Sequence, residues 1–211
     1  MVVSMNITTL RRNRQYADIL SIIHKFIPEA IIAGGAIRDL CHEKTVKDID
    51  IYVPYDAPCK GSTYDIEETE FWEKIFILDF NEDYIENVNG EDSYEGKNHI
   101  STVFEIKADG VLYNIILVDK PPINYVMEYF DIGLCKAYFD GKRFHLSADF
   151  MHDSKNGTLT ITANKNIKQC EFDHMYKWHI QKLQKKYPNF VIIVPQRFEN
   201  MYKHFIENKM G

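Results

Sequence analysis

Residues 31–40 read Ile-Ile-Ala-Gly-Gly-Ala-Ile-Arg-Asp-Leu, and residues 48–53 read Asp-Ile-Asp-Ile-Tyr-Val. This order predicts a buried strand, a glycine turn, a short helix and a second strand that carries two carboxylates. Two glycines let a backbone approach a phosphate without interference from Cβ, and the N–H groups that open the next helix favour an anion. Asp48 and Asp50 lie two apart on a strand, so they share one face and are suited to Mg²⁺ shared with a triphosphate.

The two stretches together carry a resemblance that neither carries alone. Gly-Gly-x-x-Arg-Asp followed by Asp-x-Asp resembles the nucleotidyltransferase superfamily to which polymerase beta belongs. Within it, the pattern is similar to the head domain of class II tRNA nucleotidyltransferases and poly(A) polymerases. The resemblance implies an α/β (α+β) fold with a mixed, mainly antiparallel sheet backed by helices. It also implies an enzyme that moves a nucleoside monophosphate from an NTP, ATP included, to an acceptor hydroxyl.

The resemblance assigns roles to the residues of both stretches. Asp48 and Asp50 would hold Mg²⁺ or Mn²⁺ that bridges the phosphates. Gly34 and Gly35 would approach the triphosphate, and Arg38 would contact a phosphate or support the turn. The acceptor could be an RNA 3′ end, or a hydroxyl of a protein or small molecule.

A predicted hairpin supplies the next part of the site. Residues 101–107 and 111–119 are β-rich runs joined by Ala-Asp-Gly, a strong turn signal. The superfamily usually places its third metal carboxylate on the second of these strands, where this chain has Asn114. An amide oxygen carries no charge to offset a second Mg²⁺. Three explanations stay open: one firmly held metal, a substitute carboxylate from Glu105 or Asp131, or nucleotide binding without chemistry.

Asp131 lies in a segment that is similar to the class II motif Arg-Arg-Asp-Phe-Thr-x-Asn-Ala. Tyr129 and Phe130 replace its two arginines, which leaves Arg38, Lys136 and Arg143 as cations for the triphosphate. Asp131 could equally be the N-cap of a helix. The segment also resembles small nucleotidyltransferase-like proteins of bacteriophages, which would place this chain in a bacterial cytoplasm. Because the class II Glu-Asp-x-x-Arg motif is absent, we do not expect CCA addition.

Composition predicts one compact, soluble protein. The chain has 211 residues, 45% of them hydrophobic, and its four cysteines show neither a zinc pattern nor a disulfide framework. No apolar run approaches the ~20 residues of a membrane span, and the N-terminus lacks a secretory signal, so we expect a reduced cytoplasmic location.

Charge divides the chain unevenly. Residues 65–95 hold twelve Asp or Glu and one Lys, whereas residues 165–211 hold nine Lys or Arg and four acids. We expect a nucleotidyltransferase domain at 1–164, with an acidic insert at about 65–96 that could bind a protein partner. A basic helical appendage at 165–211 would offer RNA a surface beside Trp178, although we expect that indole to be buried at a packing edge.

The pattern of apolar and turn residues also predicts the secondary-structure elements. Apolar spacing and turn residues predict helices at 9–26, 36–41 and 67–80, and strands at 31–33, 49–53 and in the hairpin.

A degenerate, non-catalytic binder of nucleotide, RNA or protein is the alternative to an enzyme. Asn114 and the missing arginines favour it, whereas the retained Asp48 and Asp50 disfavour it, since paired carboxylates are costly without a cation.

Overall fold

The computed structural model describes residues 7–55, 84–87, 99–108 and 110–210, which fall into two compact units. The first unit comprises Met1–Val126 and Ala137–His145, and the second comprises Met127–Lys136 and Leu146–Gly211. The sequence instead assigns 127–136 and 146–164 to the first domain. Hydrophobic patterning could not reveal this division, because it depends on pairing between strands that are distant in the chain.

The elements of the sheet region are α1 (Ile7–Ile23), β1 (Ile31–Ala33), α2 (Gly35–Cys41), β2 (Asp48–Pro54), β3 (Tyr84–Asn87), β4 (Ile100–Ala108), β5 (Val111–Val118), α3 (Pro122–Tyr129), β6 (Ala137–Phe139) and β7 (Phe144–Leu146). The last residues of α3 and of β7 are assigned to the second unit and the rest to the first. Helices α1 and α2 and strands β1, β2, β4 and β5 are predicted and occur in the predicted order, whereas α3, β6 and β7 are not predicted. The helix expected at 67–80 lies outside the described residues. Strand β3 falls in a segment for which the acidic composition gave no strand signal.

These strands form one sheet in the order β3-β4-β5-β2-β1-β6-β7. Strand β2 is parallel to β5, whereas the pairs β1–β2, β1–β6, β3–β4 and β4–β5 are antiparallel. The protein is therefore a mixed α+β fold with a mainly antiparallel sheet backed by helices, as the sequence predicts.

Helix α1 covers one face of this sheet. Its apolar residues Tyr16, Ile19, Leu20 and Ile23 are fully buried, and Gln15 Nε2 donates to the hydroxyl of Tyr113 on β5 at 2.9 Å. Because side chains alternate along a strand, this is the face opposite to Asp48 and Asp50. Burial of these four side chains stabilises the protein by roughly 1.5–3 kcal/mol for each side chain.

The second unit has its own apolar core. Its elements are a 3₁₀ turn (Gly133–Cys135), α4 (Ala148–Asn156), β8 (Thr158–Thr160), α5 (Gln169–Met175), a π-helical turn (Tyr176–Ile180), α6 (Gln181–Lys186), β9 (Val191–Ile193), a second 3₁₀ turn (Gln196–Phe198) and α7 (Glu199–Met210). The hydroxyl of Ser147 caps α4, and Gly157 ends it in the left-handed conformation, with φ at 64°. Phe172, Ile180 and Leu183 lie on one apolar stripe of the unit's helices and are all buried.

The helices of the described part of the chain are too short or too polar for any of them to cross a bilayer. Cys41, Cys135 and Cys170 are all free thiols.

Candidate active site

Strand pairing places polar residues in a row on the sheet face opposite to α1. In the register of the sheet, Asp50 on β2 lies opposite Asn114 on β5, and Asn114 lies opposite Glu105 on β4. Directly opposed residues share a face, and Asp48 joins them two residues before Asp50. The structure therefore brings together Asp48, Asp50 and Asn114, and it adds Glu105 as their neighbour.

Asn114 and Asp50 are in direct contact. The side-chain nitrogen Nδ2 of Asn114 donates to Oδ1 of Asp50 at 2.8 Å. Asn114 is only 5% exposed, and among the described residues its oxygen Oδ1 is buried without a hydrogen-bond partner. A buried acceptor without a partner is unfavourable by about 1–3 kcal/mol, so an unpaired one needs an explanation.

These donors have the chemistry that Mg²⁺ or Mn²⁺ requires. Asp48 and Asp50 are half-buried carboxylates, and the Asn114 amide, whose nitrogen faces Asp50, has an oxygen without a partner among the described residues that a rotation of the side chain would offer as a further hard ligand. The observed residues therefore fit such a cation. Over the described ranges, no group of three or more His, Cys, Asp or Glu side chains is arranged as a metal site.

The glycine turn has the strained geometry that its sequence suggests. Gly34 has φ at 71° and ψ at −124°, a conformation that a residue with a Cβ rarely adopts, and its N–H donates to the carbonyl of Ala137 at 3.1 Å. Gly35 then begins α2. A Cβ on Gly35 would lie 3.6 Å from Nη2 of Arg38, so the guanidinium lies against the turn.

Arg38 is held by its neighbour in the sequence. Its Nε donates to Oδ1 of Asp39 at 2.8 Å, and both residues are buried. Burial, followed by the nearby charge of Arg38, lowers the pKa of His42 at the end of α2.

Asp131 and Lys136 lie in the second unit and have partners there. Oδ2 of Asp131 is 2.9 Å from Nδ1 of His179, and Nζ of Lys136 is 3.5 Å from Oδ2 of Asp149. The N-cap of the following 3₁₀ turn is Ile132 and not Asp131. Neither partner, His179 nor Asp149, was identified from the sequence, since each pairing is formed only by the fold.

Arg143 lies in the first unit, in the turn between β6 and β7. Its side chain is exposed, and its backbone N–H donates to Oδ1 of Asp140 at 2.8 Å. The turn also pairs Asp140 with His145, whose Nε2 lies 2.6 Å from Oδ2. The His145 ring stacks on Tyr138 with their centroids 4.5 Å apart.

The expected burial of Trp178 is wrong. The indole is 54% exposed on the π-helical turn, and Nζ of Lys177 lies 4.7 Å from the ring centroid. An extra residue in this turn rotates the following side chains relative to an ordinary helix, which periodicity at 3.6 residues does not anticipate. A groove of about 410 Å³ lies beside Trp178, lined by Asp173, His174, Lys177, Phe205 and Asn208.

Comparison with known proteins gives a family and a fold. Residues 9–156 match the Gad2 family, described as Gabija anti-defense 2 family protein. No curated protein matches the sequence. Among solved structures, a tRNA-processing enzyme in an apo form is 11% identical with a TM-score of 0.61, over 98% of this chain and 49% of that chain.

Two CCA-adding enzymes are similar in the same way. The Thermotoga maritima enzyme complexed with tRNA is 14% identical with a TM-score of 0.59, over 97% of this chain and 43% of that chain. A CCA-adding enzyme with ATP is also 14% identical, with a TM-score of 0.61 and the same coverage. The chain thus has the nucleotidyltransferase-like fold of these enzymes and spans less than half of their length.

Proposed function

The chain belongs to the Gabija anti-defense 2 family, and we propose that it counteracts the Gabija defence as a metal-dependent nucleotidyltransferase. It would transfer a nucleoside monophosphate from an NTP to an acceptor hydroxyl and release pyrophosphate. The observation that carries this proposal is the pair of half-buried carboxylates, Asp48 and Asp50, beside Asn114, whose amide nitrogen contacts Asp50 and whose oxygen has no partner among the described residues. Such a pair is unfavourable on one strand face unless a cation joins it.

The residues of the first unit would divide the work. Asp48, Asp50 and Asn114 would hold Mg²⁺ or Mn²⁺, which when bound offsets the charge of the phosphates and orients them. The Gly34–Gly35 turn would give the triphosphate room to approach the backbone, and Arg38 would offset its charge. Catalysis of this kind is mainly positioning and charge stabilisation.

The acceptor oxygen would bond to the α-phosphorus while the bond from that phosphorus to the pyrophosphate oxygen breaks. Glu105 is the next residue of the row after Asn114 and is half-buried, so we propose it as the group that takes the proton of the acceptor hydroxyl. The roles proposed from sequence for Asp131, Lys136 and Arg143 remain proposals.

For the acceptor, we propose an RNA that stacks on Trp178. The exposed side of the helical run 174–185 carries His174, Lys177, Trp178, Lys182 and Lys185. A base stacked on an exposed aromatic ring contributes about 1–3 kcal/mol, and lysines add attraction to the phosphates. This arrangement favours single-stranded RNA, and one similar enzyme is a complex with tRNA.

A second candidate function, nucleotide binding without chemistry, has one specific observation in its favour. Nδ2 of Asn114 already donates a hydrogen bond to the carboxylate of Asp50 at 2.8 Å, so this carboxylate has a partner without a cation. The acidic segment at about 65–96 lies outside the described residues apart from β3, and we propose it as the contact for a protein partner because of its charge. Both proposals place the protein in a bacterial cytoplasm.

Transfer of label separates the two candidates. We would incubate the protein with each α-³²P-labelled NTP, Mg²⁺ or Mn²⁺, and total RNA or extract of a bacterial host. The matched control is the double variant Asp48→Ala and Asp50→Ala. Label that the wild type transfers and the variant does not would identify both the NTP and the acceptor. Nucleotide binding without transfer would instead favour the non-catalytic binder.

The same double variant tests the biological role. Cells protected by Gabija would express either form and then be challenged with a phage that Gabija stops. We expect the wild type to restore plaque formation and the variant not to. If both forms restore it equally, anti-defense does not depend on the carboxylates, and the enzymatic part of the proposal fails.

Tryptophan fluorescence tests the RNA surface separately. Trp72 and Trp178 are the two tryptophans of the chain, so Trp72→Phe leaves Trp178 as the reporter. Single-stranded RNA should quench it, and Lys182→Gln should weaken the binding and its salt dependence. Lys155→Gln on α4 removes an exposed lysine elsewhere in the second unit and serves as control. Equal weakening by both variants would mean that the attraction is non-specific.

A further inference from the structure

Three observations on Asn114 belong together. Its Nδ2 donates to Asp50, its Oδ1 is buried without a partner among the described residues, and its strand position is between Asp50 and Glu105. An amide that only supported the fold would be expected to have both ends satisfied. Here one end is satisfied by a carboxylate of the candidate site and the other end is not.

The orientation of this amide depends on what Asp50 requires. At 2.8 Å from an ionised carboxylate oxygen, an amide oxygen would be repelled, so the nitrogen faces Asp50. A cation beside Asp48 and Asp50 reverses this preference, because it attracts the amide oxygen and repels the N–H dipole. The two states of the site therefore favour opposite orientations of one side chain.

We propose that Asn114 is a reversible ligand, which holds Asp50 through Nδ2 in the cation-free protein and binds the cation through Oδ1 in the loaded protein. The inference rests on the proposed function, since it concerns the same carboxylate pair. It explains why the oxygen is unpaired in the structure. It also explains how the cation-free site stays stable, since the amide separates Asp50 from Glu105 without adding a fourth negative charge to those of Asp48, Asp50 and Glu105.

The exchange has a consequence for when a cation binds. Loading breaks the Asn114–Asp50 hydrogen bond, and two carboxylates attract a divalent cation less than three do. The cation should therefore bind weakly to the protein alone and more tightly together with a triphosphate, which contributes oxygens of its own. Nucleotide and cation would each raise the affinity of the other.

The amide itself can be observed by NMR of ¹⁵N-labelled protein. Its Nδ2 signals are identified by their loss in Asn114→Asp, and Mg²⁺ is then added with and without a non-transferable ATP analogue. We expect the Nδ2 signals to shift and their hydrogens to exchange faster with water on loading, together with shifts at Asp48 and Asp50. The inference is overturned if the backbone signals of the two aspartates move while the amide signals stay in place.

Variants separate a ligand from a support. We expect Asn114→Asp to raise Mn²⁺ affinity, measured from the EPR signal of free Mn²⁺, by at least about tenfold, since a full charge replaces a dipole. Without a cation, the Asn114→Asp protein should melt at a lower temperature than the wild type, and added Mn²⁺ should restore the melting temperature. Asn114→Ala should lower Mn²⁺ affinity about tenfold. Asn124→Asp, at an exposed asparagine of α3, makes the same chemical change elsewhere and should alter neither quantity.

The outcomes distinguish this inference from the proposed function. Unchanged or tighter Mn²⁺ binding by Asn114→Ala would overturn the inference, because Asn114 would then not be a ligand. Transfer of label by a wild type whose Asn114 amide does not respond to Mg²⁺ would overturn the inference alone. A responding amide without transfer of label would support the inference and contradict the enzyme.

Discussion

The two units each contain acidic residues in partly or fully buried positions, and these residues are satisfied in different ways. In the first unit, Asp48 and Asp50 are half-buried on the sheet face opposite to α1, beside an amide whose oxygen has no partner among the described residues. In the second unit, Asp153 on α4 is fully buried. Its carboxylate accepts hydrogen bonds from the hydroxyl of Thr158 at 2.7 Å, and from both the hydroxyl and the N–H of Thr160.

The difference teaches which carboxylate can perform chemistry. A fully buried charge with several donors is committed to the fold, and removing it leaves those donors unpaired. A half-exposed carboxylate beside an unpaired oxygen can accept a new ligand without loss of structure. On this criterion, Asp153 is structural, and we propose the Asp48–Asp50 pair as the one available to a ligand.

The largest expected effect is on turnover at the available pair. Asp48→Asn removes one charge while keeping the shape of the side chain, so we expect nucleotide transfer to fall by several orders of magnitude. The melting temperature should stay nearly unchanged. The measurements are label transfer and a thermal melt of the same preparation. A loss of stability that matches the loss of activity would make Asp48 structural and remove the contrast with Asp153.

The same substitution at Asp153 should lower the stability of the protein and leave cation binding unchanged. Asp153→Asn places an amide nitrogen or a neutral oxygen against the donors of Thr158 and Thr160. We expect the free energy of unfolding in urea to fall by about 3 kcal/mol. Cation binding by the first unit, measured at a temperature where the variant is folded, should be retained. A stable Asp153→Asn protein would contradict the structural role.

Gly133 sharpens the comparison further, because Asp153 occupies the space where its Cβ would be. A Cβ on Gly133 would lie 2.7 Å from Oδ2 of Asp153 and 3.2 Å from Cβ of Asp149. We expect Gly133→Ala to destabilise the protein by about 1–3 kcal/mol through this overlap. In the double variant with Asp153→Ala, most of the added penalty should disappear. Strictly additive losses would show that the overlap is not the cause.

Much of the fold could be predicted from the sequence, because its signals are local. Strand β1 was predicted with its observed bounds, and strand β2 and helix α2 within one residue at each end, since glycine, proline and β-branched runs mark them. The shared face of Asp48 and Asp50 follows from alternation along one strand. The place of Asn114 beside them is implied by the resemblance to the nucleotidyltransferase superfamily, which usually has its third metal carboxylate on this strand.

The rest depends on contacts between distant segments. The pairing of Glu105 with Asn114 follows from strand register, and the pairing of Asp131 with His179 joins residues 48 apart. Neither has a local signature. Trp178 was misjudged because the π-helical turn changes the direction of its side chain, and Asp153 was overlooked because an aspartate in a polar helix resembles a solvated one.

The smallest expected effect concerns Asp140, a structural carboxylate of the first unit. Burial alone would raise its pKa, but hydrogen bonds from the backbone of Arg143, the side chain of His145 and the backbone of Lys142 lower it from 3.8 to about 2. Because the folded pKa lies below the unfolded value, Asp140 stabilises the fold above pH 3.8. This contribution should be lost as the pH falls through about 2.

Because its side chain is about a third exposed, at 31%, we expect only a modest contribution from Asp140. Urea unfolding of the wild type and of Asp140→Asn should therefore differ at pH 6 and converge as the pH approaches 2. Asp140 itself has no nucleotide role in this proposal, and its contact with Arg143 is to the backbone N–H, so label transfer by Asp140→Asn at pH 7 should match the wild type. If the wild type and Asp140→Asn still differ equally in stability at the lowest pH, the contribution of Asp140 comes from the shape of its side chain and not from its charge. If Asp140→Asn loses label transfer but keeps its stability, Asp140 belongs with Asp48 and Asp50 and not with Asp153.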